Sequence, residues 1–351
     1  MMSPSMVAQQ TATLSELYAQ ELPGLVAQTP TLPEGIQRVY ALGNGDSHHA
    51  ALAAAQAFSA WTDIDYRPMP AYTFVQHELP RLRPQDAART LVVCISASGS
   101  SKLAVSALSE VRGRGLGATL SMTGKPGSAM DQAAEYTLST IITEKGRSPG
   151  IRTYAASLCG LLCLAGRLGQ CEDRLLHAGC VLQTEAPRLD GILSDSVRAA
   201  EAAAHWDWPL CTVLGCDGLF GCAHFAAAKL VETSGVFASG QEMEEWCHVE
   251  SMAYPLNAPV IILLGSACDR EKALSVMNIA HRAGRRTLLI SAFTPDDALR
   301  AGADEHVFLS LHVPEALNPL FLYMPLLPLA QRLAEKEGRA MFLSDQPFRL
   351  F

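Results

Sequence analysis

Residues 89–115, RTLVVCISASGSSKLAVSALSEVRGRG, constrain the fold more than any other stretch of the chain. Leu91, Val92, Val93, Cys94 and Ile95 form a short apolar run rich in β-branched residues. That is the pattern of a strand covered on both faces in a parallel sheet. The run breaks at once into Ser96-Ala97-Ser98-Gly99-Ser100-Ser101, and then Leu103, Ala104, Ala107, Leu108 and Val111 recur at helical spacing. The order is strand, hydroxyl-rich loop, helix. Such a loop sets backbone N–H groups and serine hydroxyls at the positive end of a helix, where an anion, most simply a phosphate, is stabilised. A loop that only caps its helix, with Ser100 or Ser101 as N-cap, reads the same way. No GxxxxGK[ST] and no GxGxxG follows the strand, so the nucleotide fingerprints are missing.

The pattern occurs twice. Residues 37–43 read as a first strand, Gly43-Asn44-Gly45-Asp46-Ser47 as its turn, and residues 48–61 as an Ala-rich helix. A linking strand is expected near 72–75, and further strands at 118–122 and 136–140. Residues 210–215 with Cys216-Asp217-Gly218 and an Ala-rich helix echo the first strand and its helix. Residues 260–264 with Gly265-Ser266-Ala267 echo the organising strand and its loop, and 286–290 and 303–309 echo the two strands after it. The expected class is therefore α/β, with two tandem units, each a parallel sheet flanked by helices on both faces in a flavodoxin-like three-layer arrangement. The boundaries expected are 1–35 for an N-terminal helix and linker, 36–195 for the first unit, 196–335 for the second and 336–351 for a tail. In the second unit the loop has lost most of its hydroxyls and gained Asp269, so only the first unit is expected to hold phosphate.

A chain of 351 residues with 49% apolar and 18% charged residues has room for two well-buried cores. Its net charge of −8 weighs against a broad nucleic-acid or membrane surface. Ten cysteines form no CxxC pair, and Cys94, Cys159, Cys163, Cys211 and Cys222 lie in apolar runs as small buried hydrophobes. A reducing, cytoplasmic setting is expected, since the N-terminus lacks a basic-then-apolar leader pattern and no stretch of 18 apolar residues occurs. No HExxH, HxxEH or CxxC spacing is present, so neither a metal nor another cofactor is expected.

The duplicated unit with a serine loop after its second strand resembles the double SIS (sugar isomerase) family, which includes the isomerase half of glucosamine-6-phosphate synthase and the fructosamine-6-phosphate deglycases. The resemblance covers roughly residues 35–347. Ser96 to Ser101 match the family's Ser-x-Ser-Gly-x-Thr/Ser phosphate loop. Gly45-Asp46-Ser47 stands at its Gly-x-Ser turn, Ser148-Pro149-Gly150-Ile151-Arg152 at its closing segment, and Asp345-Gln346-Pro347 at the start of its Asp-x-Pro-Arg tail. In the second unit Lys229-Leu230-Val231-Glu232 matches a Lys-x-x-Glu context, and Glu245-Trp246-Cys247-His248 places a His sixteen residues after Glu232. Departures are Val249-Glu250 in place of Gly-Pro, Phe225 in place of an acidic residue, Ala97 in place of a glutamine, and Phe348-Arg349-Leu350-Phe351 where the synthase goes on to a lysine. No glutaminase domain is expected within these residues.

The resemblance implies an enzyme acting on a phosphorylated sugar or amino sugar. Glu232 would be the base of a 1,2-proton transfer and His248 the group that assists ring opening, chemistry that suits a carboxylate in a partly apolar pocket and an imidazole. Gly45, Ser47, Ser96, Ser98, Ser100, Ser101 and Arg152 would bind sugar and phosphate. Glu245, Lys229 and His48 are accessory candidates. The family's His reaches a neighbouring subunit, implying a homodimer with a shared site, and no nucleic-acid or membrane partner. An aldose–ketose isomerase or deaminase, a deglycase and a non-catalytic sugar-phosphate sensor all remain open at this point.

Overall fold

The computed structural model of the chain describes residues 2–26, 30–146 and 149–347. The chain divides into two compact units. One comprises Glu16–Glu144 with Arg152–Thr184, and the other Met1–Ser15, Lys145–Ile151 and Glu185–Phe351.

The unit that begins at Glu16 is built on five parallel strands: β1 (Arg38–Gly43), β2 (Asp65–Pro70), β3 (Thr90–Ile95), β4 (Ala118–Thr123) and β5 (Tyr136–Ser139). Their order is β2-β1-β3-β4-β5. β3 lies at the centre, and every one of its residues is buried, as the apolar run requires. Helices flank the sheet, among them Asp46–Ala53, Lys102–Gly113 and Ile151–Leu168. On one face Tyr40, Leu42, Val92 and Cys94 pack with Phe74, Ala104, Leu108 and Val111. Burying each large aliphatic side chain of that set is worth about 1.5–3 kcal/mol.

The other unit repeats the plan with β6 (Cys211–Leu214), β7 (Ala238–Gln241), β8 (Val260–Leu264), β9 (Thr287–Ser291) and β10 (Glu305–Phe308). Its order, β10-β9-β8-β6-β7, is the same topology read from the opposite edge. Central β8 is wholly buried. Leu214, Ile262 and Leu264 pack with Met243, Trp246, Val276 and Met277. The helix Ser5–Thr11 and the long helix Gly218–Ser234 belong to this unit.

One edge strand departs from its expected position, and another has no counterpart among the expected strands. The segment expected as a strand near 72–75 is helical, at Ala71–Thr73 and Phe74–Glu78, and β2 lies just before it. β2 reads DYRPMP, and its two prolines are tolerated because an edge strand needs only one hydrogen-bonded side. β7, ASGQ, is the corresponding edge of the other sheet and carries no apolar signal.

Candidate active site

In an open α/β sheet, ligands gather beyond the carboxyl ends of the strands where the strand order reverses. In the first sheet that point lies between β1 and β3. The loop after β1 passes through Gly45 at φ 52°, ψ −129°, into the helix Asp46–Ala53. Ser47 and His48 are half-buried on its first turn, and the N–H of His48 donates to the Gly45 carbonyl at 2.9 Å.

The loop after β3 holds its hydroxyls together. Ser98 Oγ and Ser100 Oγ are 2.8 Å apart, Ser96 Oγ and Ser98 Oγ 3.5 Å, and the N–H of Ser100 donates to Ser98 Oγ at 3.4 Å. Ser101 is the N-cap of Lys102–Gly113, its Oγ accepting from the N–H of Ala104 at 3.5 Å. The cap therefore uses Ser101 and leaves Ser98 and Ser100 exposed at the positive end of a twelve-residue helix. Gly99 makes the turn possible. It sits at φ 63°, and a Cβ there would lie 2.3 Å from Ser128 Oγ.

Beside Ala97 of this loop opens a cavity of about 290 Å³, lined by Gly124 and Lys125 after β4, Thr140 to Ile142 after β5, Glu144, and Thr153 and Ser157 of the helix Ile151–Leu168. Lys125 brings a cation to it, paired with Glu144. Its N–H donates to Thr123 Oγ1 at 3.1 Å. Lys125 carries no signal of its own in the sequence, where Thr-Gly-Lys-Pro has the composition of a simple turn.

Arg152 is the second residue of the helix Ile151–Leu168, with its side chain almost wholly buried. Its guanidinium pairs with Glu21 and approaches the Thr143 carbonyl at 3.5 Å. Ser148, in the segment expected to close over a ligand, and Phe348 to Phe351 of the tail lie outside the described residues.

In the second unit Glu232 occupies the last turn of Gly218–Ser234, which ends at Gly235 in the left-handed conformation, φ 68°. Lys229 lies three residues earlier on the same face. Its buried ammonium donates to Glu232 Oε2 at 2.6 Å and to the Pro149 carbonyl at 2.6 Å, and sits 5.0 Å over the Phe225 ring. Phe225, standing where the family has an acid, packs edge-on against Tyr323 at 5.0 Å. The carbonyl of Ser234 accepts from Arg339 Nη1 at 3.1 Å, which ties down the helix end.

His248 closes the short helix Met243–His248, and its side chain is 70% exposed. Its Nε2 lies 3.1 Å from Glu244 Oε1, and Glu244 in turn pairs with Lys272. Glu244, one turn before the histidine, is thus the carboxylate that orients the ring. The side chain of Glu245 is exposed, and its N–H donates to Glu242 Oε2 at 3.0 Å.

Comparison with known protein families matches residues 35–165 to the SIS domain. This stretch of the chain is a SIS domain. It spans β1 to β5, the serine loop and most of the helix that starts at Ile151. Among curated proteins, the chain is 26% identical over 325 residues to the glutamine–fructose-6-phosphate aminotransferase (isomerizing) of Gloeobacter violaceus, covering 90% of this chain and 51% of that protein. The chain therefore spans about half the length of that relative. Among solved structures, the C-terminal domain of glucosamine-fructose-6-phosphate aminotransferase from Francisella tularensis superposes with a TM-score of 0.79 at 15% identity, covering 94% of this chain and 97% of that one. Tagatose-6-phosphate ketose/aldose isomerase from Escherichia coli gives 0.73 at 17% identity, covering 98% and 95%. Both likenesses extend the shared fold beyond the SIS domain to the second sheet. No helix among the described residues is long and apolar enough to cross a membrane.

Proposed function

We propose that this chain is a phosphosugar-binding enzyme, an aldose–ketose isomerase or deaminase acting on a sugar or amino-sugar 6-phosphate. The observation that carries the reading is the pair of exposed hydroxyls, Ser98 and Ser100, held 2.8 Å apart at the open end of a helix whose cap is already supplied by Ser101. Hydroxyl and N–H donors at a helix N-terminus suit a phosphate dianion, and the neighbouring 290 Å³ cavity with Lys125 suits a small polar body attached to it. The names of the relatives, an aminotransferase acting on fructose 6-phosphate and a tagatose-6-phosphate isomerase, support the same substrate class.

In this reading Ser47, Ser96, Ser98, Ser100 and Ser101, with the backbone at Gly45, bind the substrate. Glu232 moves a proton between C1 and C2 through an enediol or enolamine. Lys229 positions that carboxylate, and His248, steadied by Glu244, gives or takes the ring-opening proton. Remote phosphate binding supplies orientation. The working form is assigned as a cytoplasmic homodimer. Val249, Met252 and Tyr254, which follow His248 directly and are 58–80% exposed, support an interface there.

A thermal-shift panel of hexose, hexosamine and fructosamine 6-phosphates beside their unphosphorylated parents tests the reading. Shifts by phosphorylated members alone, with turnover of one of them reduced about 10²–10⁴-fold by Glu232→Gln, are expected. Binding without turnover by either form would turn the enzyme into a sensor. No preference for phosphate would overturn the site.

A further inference from the structure

The first sheet carries another cavity at the opposite end of its strands. It has a volume of about 830 Å³, against about 290 Å³ beside Ala97, and opens at the amino ends of β1, β2 and β3. Six-residue strands put roughly 20 Å between it and the serine loop. Its size is that of a small-molecule pocket. One wall is fixed where the helix Ile151–Leu168 ends. A Cβ on Gly169 would lie 2.1 Å from the Trp61 carbonyl oxygen, and Cys171 Sγ donates to the same oxygen at 3.6 Å. Trp61, Ile64 and Leu168 give the lining its apolar part.

The charged part of the lining is only half spent. Arg38 and Asp65 neutralise each other at 2.8 Å. Asp86 and Arg89 do not. They are three residues apart on the 3₁₀ turn Pro84–Arg89, which sets their side chains on one face, and both line the cavity. Neither side chain makes a hydrogen bond or an ion pair with the other or with any other described residue. Asp63, on the loop before β2, is unpaired in the same way. The carboxyl end of the 18-residue helix adds a partial negative charge.

These free charges select the class of ligand. A neutral molecule covering Asp86 and Arg89 strips water from both and returns no opposite charge, which costs free energy. A plain cation meets the repulsion of Arg89, and a plain anion meets that of Asp63 and Asp86. A molecule bearing both an ammonium and a carboxylate satisfies both sides through charge-assisted hydrogen bonds. The apolar lining suits a hydrocarbon group on the same molecule. We propose that this cavity binds a free α-amino acid with an apolar side chain, its ammonium on Asp86, its carboxylate on Arg89 and its side chain against Trp61. The proposal stands whether or not the serine loop holds phosphate.

Calorimetric titration of the full chain with L-valine, L-leucine, L-isoleucine, L-methionine and L-phenylalanine tests it. Each amino acid that binds is compared with its decarboxylated and its deaminated analogue, which for leucine are 3-methylbutylamine and 4-methylpentanoate. Saturable binding of at least one amino acid is expected, with both analogues weaker by roughly tenfold or more. Asp86→Asn and Arg89→Gln should each weaken it by roughly tenfold or more as well. Neither side chain bonds to the rest of the fold, so both variants should melt with the unaltered chain. No saturable heat with any of the five, an unchanged affinity in either variant, or an analogue binding as tightly as its amino acid would each overturn the proposal.

Discussion

Gly45 and Asp217 hold the same backbone conformation in the two units: φ 52°, ψ −129° at the first and φ 51°, ψ −126° at the second. Each follows the first strand of its sheet and immediately precedes a helix. The turn is one that glycine enters freely and that strains a residue bearing a Cβ. The second unit has kept the turn and filled it with an aspartate. Replacing Asp217 by glycine should relieve strain of about 1–3 kcal/mol, offset by about 0.5–1 kcal/mol of lost chain entropy. Chemical denaturation of Asp217→Gly is therefore expected to show a more stable protein. A less stable variant would mean that the carboxylate contributes more to the fold than its backbone costs.

Asp269 provides a pH test. Burial and then the charges of Glu315 and Glu242 raise its carboxyl, so the folded state holds the proton more tightly than the unfolded chain. A raised carboxyl contributes stability in acid, and that contribution is lost as pH rises through the folded value. At neutral pH the ionised Asp269 is a net burden, and Asp269→Asn removes it. Unfolding curves should show the variant more stable at pH 7, by well under about 1 kcal/mol given solvent screening of a half-exposed group. The difference should shrink towards zero as pH falls below the carboxylate range. A gain that persists unchanged in acid would assign it to something other than charge.

The centre of each sheet was legible in the sequence, and so was the edge at β5 or β10, but the opposite edge was not. β3 and β8 are buried on both faces, so nothing but apolar residues fits them, and the runs 91–95 and 260–264 announce them. β2 and β7 are half-exposed edges that accept Pro68, Pro70, Ser239 and Gly240, so their sequences look like turns. The serine loop was legible because its hydroxyls are consecutive. Lys125 was not, since it reaches the cavity only through the parallel placement of β4 beside β3. Glu244 and Glu245 both lie within one turn of His248, and only the built helix selects Glu244. Arg152 was expected to bind sugar or phosphate, and its pairing with Glu21 was not legible because that partner lies 131 residues away in sequence.

Gly99 is where the anion loop is most sensitive. An alanine there must adopt φ 63° and place its Cβ 2.3 Å from Ser128 Oγ and 2.9 Å from Thr123 Oγ1. The left-handed conformation alone costs about 1–2 kcal/mol, and Ser128 cannot retreat without giving up its cap of the helix Ala129–Ala133. Gly99→Ala should lower the melting temperature and weaken inorganic phosphate binding together. Phosphate affinity equal to that of the unaltered chain would separate the loop from anion binding.

Lys229 and Glu232 separate positioning from chemistry. Lys229 is 1% exposed, and its ammonium is shared by Glu232 and the Pro149 carbonyl. Lys229→Met removes both of these bonds, takes the ammonium donor from a buried carbonyl and loosens one hold on the Glu232 carboxylate. Because Glu232 is itself 30% exposed and can turn to water, the stability loss should be about 1–3 kcal/mol rather than that of a fully buried pair. A carboxylate displaced by an ångström would still lower kcat by up to about 10²-fold. Glu232→Gln keeps an acceptor oxygen for the ammonium, so it should leave stability nearly unchanged while abolishing proton transfer. The two variants thus move stability and turnover in opposite proportions. If Lys229→Met loses stability but keeps kcat, its ammonium holds the fold and does not position Glu232.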